Sequence, residues 1–573
     1  MNADNFLAKV IMNEERISAY LDLIDALINC PEGEEKDILN DHQFLVDEGL
    51  IQTMEEVAIE LEGEGKVNTA NWLYSALSDI KEIIEKWAEL ATSEVYLNFL
   101  LQVLEAIDDS EVDPDVVYPL LESNLDKLNE DLAWVLQNWA TEKLAEVDAE
   151  EAESIAADIG SFSILIQEFT SGEIANNIEI AITGYKIVAQ VLNREESPEE
   201  WWLTQHNLGF AYYNRIAGNR SRNLEQAIDC YQLALSAYNV EENPQEWGLT
   251  QNNLGLAYLN RIEGDSEENQ ENAIAAFQSA LKVRDRANYP KEWAEIQNNL
   301  GLVYLNRTEG DTSDNIEQAI NYYQAALSAY PKEVNPAVWA TIQNNLGLAY
   351  YNRIEGEKGE NLERAIAAFQ AALEIRNYEE FPIEWAETFD YLGEAYNERI
   401  IGEKSDNLEQ AILCYQATLK TYNREEFPEE WAKANTNLGW AYFERIKGNR
   451  AKNLEISINT FKSALKIYNP EDYLSKWIIT VYYLGLFYLH RIEGKRSNNL
   501  EQAIHHYKLA LKFCTPEDFP EEWGLLQNDL GVAYLDRIKG NRQKNIEAAT
   551  AAFEATLQVF NKDDYPDYWA LSQ

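Results

Sequence analysis

Tryptophan returns every 46 residues along the last two-thirds of the 573-residue chain, at Trp201, Trp247, Trp293, Trp339, Trp385, Trp431, Trp477, Trp523 and Trp569. After each of the first eight, Leu follows at seven positions, Gly at eight, Tyr at eleven, Arg at fourteen, a second Gly at seventeen, Asn at twenty-two and Glu at twenty-four. A strict period of this length is the mark of one supersecondary unit stacked many times, each burying its apolar face against the next. It argues against a single globular core and predicts a solenoid.

Residues 197–242 show what one unit encodes. Ser197-Pro198-Glu199-Glu200 reads as a helix start, with Ser at N-cap, Pro at N1 and Glu at N3. Pro stands three residues before the Trp in every unit but one, where Leu474 replaces it. The first helix is predicted to run to about Ile216, with Trp201, Leu208, Tyr212 and Ile216 as its apolar stripe. Gly218 is expected to end it. Asn223 is expected to cap a second helix, with Glu225 in its first turn and Ala227, Ile228, Tyr231 and Ala234 on its buried face. Arg215, closing the first helix where a cation meets the dipole favourably, is placed to reach Glu225 and clamp the loop.

Leu208-Gly209 with Tyr212, then Ala227 with Tyr231 and Ala234, resembles the tetratricopeptide pattern L-G-x2-Y … A-x3-F. The resemblance implies an all-α fold, an α-solenoid of helical hairpins, here with a 46-residue period in place of the usual 34. Residues 155–200 keep Gly172, Asn177, Glu179, Ala181, Ile182 and Tyr185 in register but lose the Leu-Gly pair, as a degenerate first repeat does. Eight full repeats are expected over 201–568. Residues 1–154 are helical without the period and are expected to form an N-terminal helical cap. Residues 569–573 read as the start of a further, truncated repeat, which suggests a fragment of a longer protein.

Charge narrows the partners. The net charge is −54, and residues 1–154 hold 38 Asp and Glu against 8 Lys and Arg. Such a field repels phosphate backbones, disfavours nucleic acid and favours basic partners. Four cysteines, Cys30, Cys230, Cys414 and Cys514, suit reduced thiols, with Cys230 and Cys414 four units apart and too distant for a disulfide. No export signal and no bilayer-length apolar run is visible, so no membrane association and a cytoplasmic location are expected. His505-His506 point to different faces of a helix, and His490 lies on another, so no metal site is expected. No phosphate-cradling Gly-rich loop occurs. No cofactor and no catalytic constellation are read.

Asn-Leu-Glu-Gln-Ala-Ile at 223–228, 407–412 and 499–504, and Phe-Pro-Glu-Glu-Trp at 427–431 and 519–523, resemble the repeats that precede a caspase-like peptidase in CHAT-domain proteins. The resemblance implies a non-enzymatic protein- or peptide-binding scaffold, the sensor or regulatory half of a CHAT-type peptidase system, with the peptidase itself absent. The alternatives are a fragment of a larger protease and a purely structural or self-assembling scaffold. In tetratricopeptide arrays the first helices line the concave groove. The matching positions are Asn252, Asn253 and Asn260, then Asn298, Asn299 and Asn306, then Asn344, Asn345 and Asn352. A carboxamide offers both donor and acceptor, so stacked Asn can hold the main chain of an extended peptide. The plainer role for them is to bridge neighbouring helices. Two units depart from the pattern. Asp390, Glu394 and Glu398 make an acidic patch suited to a basic segment, and Tyr482 and His490 belong to an aromatic patch suited to a hot spot or to extra core packing.

Overall fold

The computed structural model describes residues 3–560 except 31–34, 43–44, 47, 64, 92–93, 111 and 239, so the expected opening of a further repeat at 569–573 lies outside the described residues. All regular secondary structure among them is helical. From Ala149 the helices come as hairpins: Ala149–Glu168 with Ile174–Val191, Pro198–Asn214 with Arg220–Ala237, Pro244–Leu259 with Ser266–Ala280, Pro290–Asn306 with Thr312–Ala329, and Pro336–Tyr351 with Lys358–Leu373. The same pairing continues in Pro382–Glu398 with Lys404–Thr421, Pro428–Glu444 with Arg450–Ala464, Leu474–His490 with Arg496–Ala510, and Pro520–Asp536 with Arg542–Val559. Within each of the two units described below, a second helix packs on its own first helix and on the first helix of the next repeat, and several successive first helices also touch. The fold is an α-solenoid of tetratricopeptide-like hairpins.

The hairpin closes on the Leu-Gly glycine. An ideal Cβ at Gly347 would lie 2.7 Å from Cδ1 of Phe369 on the second helix, and one at Gly209 would lie 2.9 Å from Tyr231. Any side chain there would force the two helices apart, which is why the position admits only Gly.

The turn between the helices differs from the sequence expectation. The first helix ends at Asn214, and Ile216 is 68% exposed, outside the stripe assigned to it. The second helix begins at Arg220, with Asn219 as N-cap accepting from the Arg222 amide, so Asn223 is already inside the helix. Asn223 instead holds the loop: its Nδ2 donates to the Ala217 carbonyl at 2.9 Å and its Oδ1 accepts from Arg215 Nη1 at 3.3 Å. Gly218 supplies the left-handed turn, φ +76°, under that guanidinium. Ser197 does occupy the N-cap with Pro at N1, but its hydroxyl makes no cap bond.

The Arg–Glu clamp is corrected as well. Arg261 donates to both carboxylate oxygens of Glu225, each at 2.7 Å, and the same bidentate pair joins Arg353 to Glu317, Arg399 to Glu363, Arg445 to Glu409, Arg491 to Glu455 and Arg537 to Glu501. Each Arg reaches 36 residues back, to the second helix of the preceding repeat. It therefore staples repeats together and does not close its own loop on a Glu. The hydrogen bond from Arg holds Glu363, Glu409 and Glu501 below the usual carboxylate range.

The chain divides into two compact units, Met1–Tyr289 and Pro290–Gln573. In the first, helices Glu48–Gly63 and Val67–Ala91 form a hairpin around a small core of Leu50, Met54, Leu73 and Leu77. The N-terminal region meets the array through charge: Arg215 donates to Asp41 Oδ1 at 2.7 Å and bidentately to Glu179, with Arg215 and Asp41 both buried. In the degenerate repeat Phe169 takes the arginine's place and packs on Tyr118, ring centroids 5.3 Å apart. The Asn177 Oδ1 that an arginine would serve is left buried with no partner. The second unit carries repeats from Pro290 onward, with buried cores centred on Tyr323, Phe369 and Tyr415 and on Phe461, Phe487 and Tyr507.

Candidate functional site

The predicted groove residues sit on the first helices, and most are already bonded across repeats. Asn345 Nδ2 donates to Asn298 Oδ1 at 3.2 Å, 47 residues apart. Asn344, 3% exposed, accepts from the Thr388 hydroxyl at 3.0 Å. In the first unit Asn252 donates to Asn253 at 3.4 Å, and Asn253 Nδ2 lies 3.4 Å from His206 Nε2. Asn260 Nδ2 bonds the Tyr213 hydroxyl at 3.0 Å and its own Leu256 carbonyl at 2.9 Å. Asn306 and Asn352 bond the carbonyls of Leu302 and Leu348, both at 3.0 Å, and are exposed. Asn299 is half-buried beside Asn298. These bonds match the bridging role more directly than a row of waiting amides.

The acidic patch is also served from within. Lys433 of the following repeat reaches Asp390 at 2.8 Å and Glu394 at 3.0 Å, and Asn437 adds bonds to both. Burial alone would lower the Lys433 ammonium, but Asp390 and Glu394 hold it above its ordinary range; burial pushes Glu394 up. Glu398 accepts from Tyr351 Oη at 2.7 Å and pairs with Lys358 at 2.8 Å. Burial opposes ionisation there, yet Lys358 and Tyr351 hold Glu398 below its usual range. Lys433 thus stands where a partner's basic side chain was expected.

Tyr482 donates to Asp529 Oδ2 at 3.1 Å, and burial pushes that carboxyl up. His490 keeps part of its surface in water, its ring 5.9 Å from Phe443, and the partial burial of the ring together with Arg450 and Arg496 lowers its pKa. Between them Phe443, Phe461, Tyr483 and Phe487 interlock at 4.8–6.3 Å, so the aromatic patch is largely packing.

Two clefts, one in each unit, escaped the sequence reading. One, about 550 Å³, is floored by Trp440, Tyr483 and Tyr468 and edged by Glu429, Glu430, Lys433 and Lys476. The other, about 290 Å³, lies where Ala156, Gly160, Tyr185 and Thr204 meet. The signal for both was present as exceptions to the repeat: Lys433 and Trp440 in one, Gly160 in the other. Among the described residues no group of His, Cys, Asp and Glu is placed to hold a metal, and no helix is long and apolar enough to cross a membrane. Cys230, Cys414 and Cys514 are free, buried thiols.

A family model for the Sel1 repeat matches residues 202–239, 249–281, 294–329, 343–374 and 481–512, five segments that each lie within one hairpin unit. The hairpin units from Ala149 onward are Sel1- and tetratricopeptide-like repeats. Among solved structures it is similar to the C-terminal part of a TPR repeat-containing protein from Cytophaga hutchinsonii, at 15% identity over 54% of this chain and 96% of that one, TM-score 0.34. It is also similar to the Cut9-Hcn1 hetero-tetramer of APC/C, at 13% identity over 85% of this chain and 97% of that one, TM-score 0.32. No curated protein matches the sequence.

Proposed function

We propose that the chain is a non-enzymatic protein-binding scaffold whose first-helix face receives an extended segment of a partner, as the sensor or regulatory half of a CHAT-type peptidase system. Arrays of this repeat type are protein-interaction scaffolds, and the sequence resemblance supplies the peptidase association. One observation supports the groove in particular. Asn298 is half-buried and accepts a single bond from Asn345, and among the described residues its own amide N–H groups have no partner. A carboxamide has two donors and an acceptor with two lone pairs, so main-chain bonds to a partner can be added without breaking the ladder. The preference for a basic segment comes from the −54 net charge.

The inter-repeat bonds favour one second reading, a purely architectural scaffold. A tiled peptide array probed with the purified chain separates the two. Peptide capture that disappears in Asn298→Ala with Asn345→Ala, while the melting temperature falls by no more than about 3 °C, supports the groove. Capture unaffected by both substitutions, or no capture at all, leaves the architectural reading.

A further inference from the structure

A notch recurs between two successive first helices and the second helix that separates them, and its contents change along the chain. In the repeat beginning at Trp201 the chain fills it with its own rings. Trp202 stacks on His206 at 5.1 Å and on Tyr238 at 5.3 Å, and His206 leans on Tyr231 at 5.7 Å. Both rings converge on one hydroxyl: Trp202 Nε1 donates to Thr250 Oγ1 at 2.9 Å, and His206 Nδ1 lies 3.0 Å from the same oxygen. Trp202 is 9% and His206 6% exposed.

At Thr388 the notch is filled by a guanidinium: Arg376 Nη1 donates to Thr388 Oγ1 at 2.8 Å and Nη2 to Thr341 Oγ1 at 3.2 Å, with the charge met by Glu387 at 3.4 Å. Two flat groups bearing N–H thus use the same Thr hydroxyl. The residue one position before the Thr differs between the two notches: Leu249 in the first, and in the second Glu387, which pairs with the guanidinium.

One repeat before Trp202 the notch is open. Ala156 and Gly160 stand where Trp202 and His206 stand 46 residues later, while Tyr185, Thr204 and Asn207 repeat Tyr231, Thr250 and Asn253. The result is the cleft of about 290 Å³, smaller than the roughly 300–1,000 Å³ of a whole small-molecule site and suited to one ring system. Thr204 is 6% exposed, and among the described residues its hydroxyl has no hydrogen-bond partner. A Cβ built on Gly160 meets only Val188 Cγ2, at 3.8 Å, so the space is vacant and not closed by packing. Ile164, Val188, Leu192 and Leu203 give the cleft apolar surface, and the carboxylates Glu153 and Glu200 line it as well.

We propose that this cleft binds the indole of a tryptophan side chain presented by a partner protein, its N–H donating to the Thr204 hydroxyl as Trp202 donates to Thr250. The Glu387 and Thr341 that hold Arg376 are replaced here by Leu203 and Ala157, so the partners a guanidinium uses in that notch are missing; Glu153 and Glu200 in the lining make argininamide the competitor that the test must include. The proposal deepens the groove reading by naming what one notch accepts. It rests on that reading for the partner, but not for the pocket.

Fluorine NMR of 5-fluoroindole with the full chain tests it. The expected result is saturable broadening of the probe, displaced by N-acetyl-tryptophanamide and not by N-acetyl-argininamide. Thr204→Val weakens binding about tenfold, the loss of one hydrogen bond. Ala156→Trp with Gly160→His, which rebuilds the filled notch, abolishes it while far-UV circular dichroism stays unchanged. Equal broadening in wild type and Thr204→Val, displacement by the argininamide, or no broadening up to about 5 mM probe overturns the proposal. Indole binding without any peptide capture would remove the groove reading and keep the pocket; peptide capture without indole binding would do the reverse.

Discussion

At the scale of single residues, four positions constant in the sequence form one device. Arg353 spans to Glu317 of the preceding repeat at 2.6 and 3.0 Å, its Nη1 donates to Asn361 at 3.2 Å, and Gly356 turns the chain beneath it at φ +77°. A double-mutant cycle of Arg353→Gln and Glu317→Gln is expected to give a coupling of about 1 kcal/mol in urea unfolding, since the pair is bidentate but partly exposed. Coupling within error of zero would reduce the staple to a surface contact. Gly347→Ala is expected to cost about 1–3 kcal/mol, because its Cβ would enter the Phe369 ring. His206 makes a pH prediction. Burial lowers its pKa from 6.5 to about 4, so the unfolded chain takes up the proton first. Stability is whole above pH 6.5 and is lost as pH falls towards 4, by roughly 3 kcal/mol. His206→Asn, the residue at this position in the next three repeats, should flatten that part of the unfolding profile.

At the scale of the helix and hairpin, the unit itself was legible and its wiring was not. Trp, Pro and the Leu-Gly pair announce two helices of the right length, and the structure has them. But a strictly periodic sequence contains no phase: Arg paired with the Glu ten residues ahead and Arg paired with the Glu 36 back leave identical patterns. Only geometry separates them. Asn223 misled for a related reason, since a constant Asn before a helical run looks like a cap, whereas it works from inside the helix on the loop behind it. The groove residues were located by register, but their bonds run from one repeat to the next, beyond what a single-repeat reading can show. One element tests how local the helix start is. Leu474 occupies the N1 site held by Pro in the other repeats, where no backbone bond is lost to Pro. Leu474→Pro is expected to change stability by less than about 1 kcal/mol, the gain in chain stiffness offset by lost packing of a partly buried Leu. A loss of several kcal/mol would show that this repeat starts differently from its neighbours.

At the scale of the molecule, charge and staples pull in opposite directions. Much of the −54 net charge falls before residue 155, so self-repulsion is strongest there. Raising NaCl from about 50 to 500 mM shortens the screening range severalfold and should increase hydrogen-exchange protection of helices Glu48–Gly63 and Val67–Ala91 more than that of the repeats. Acid should act in the other order. Glu363, Glu409 and Glu501 have depressed pKa values in the fold, so their contribution is present above about pH 4.3 and drains away as pH drops through the lowered values. Exchange in the hairpins that carry them should quicken on that descent, after the His206 hairpin has already loosened at higher pH.

The backward reach of each arginine also sets a direction in time. Within each unit a nascent chain delivers a stapling Glu, such as Glu225 or Glu317, 36 residues before the Arg that will grip it, so a hairpin leaving the ribosome finds its anchor point already built. Assembly can therefore advance like a zip fastener from the N-terminal end, with one unmated tooth always waiting at the growing edge.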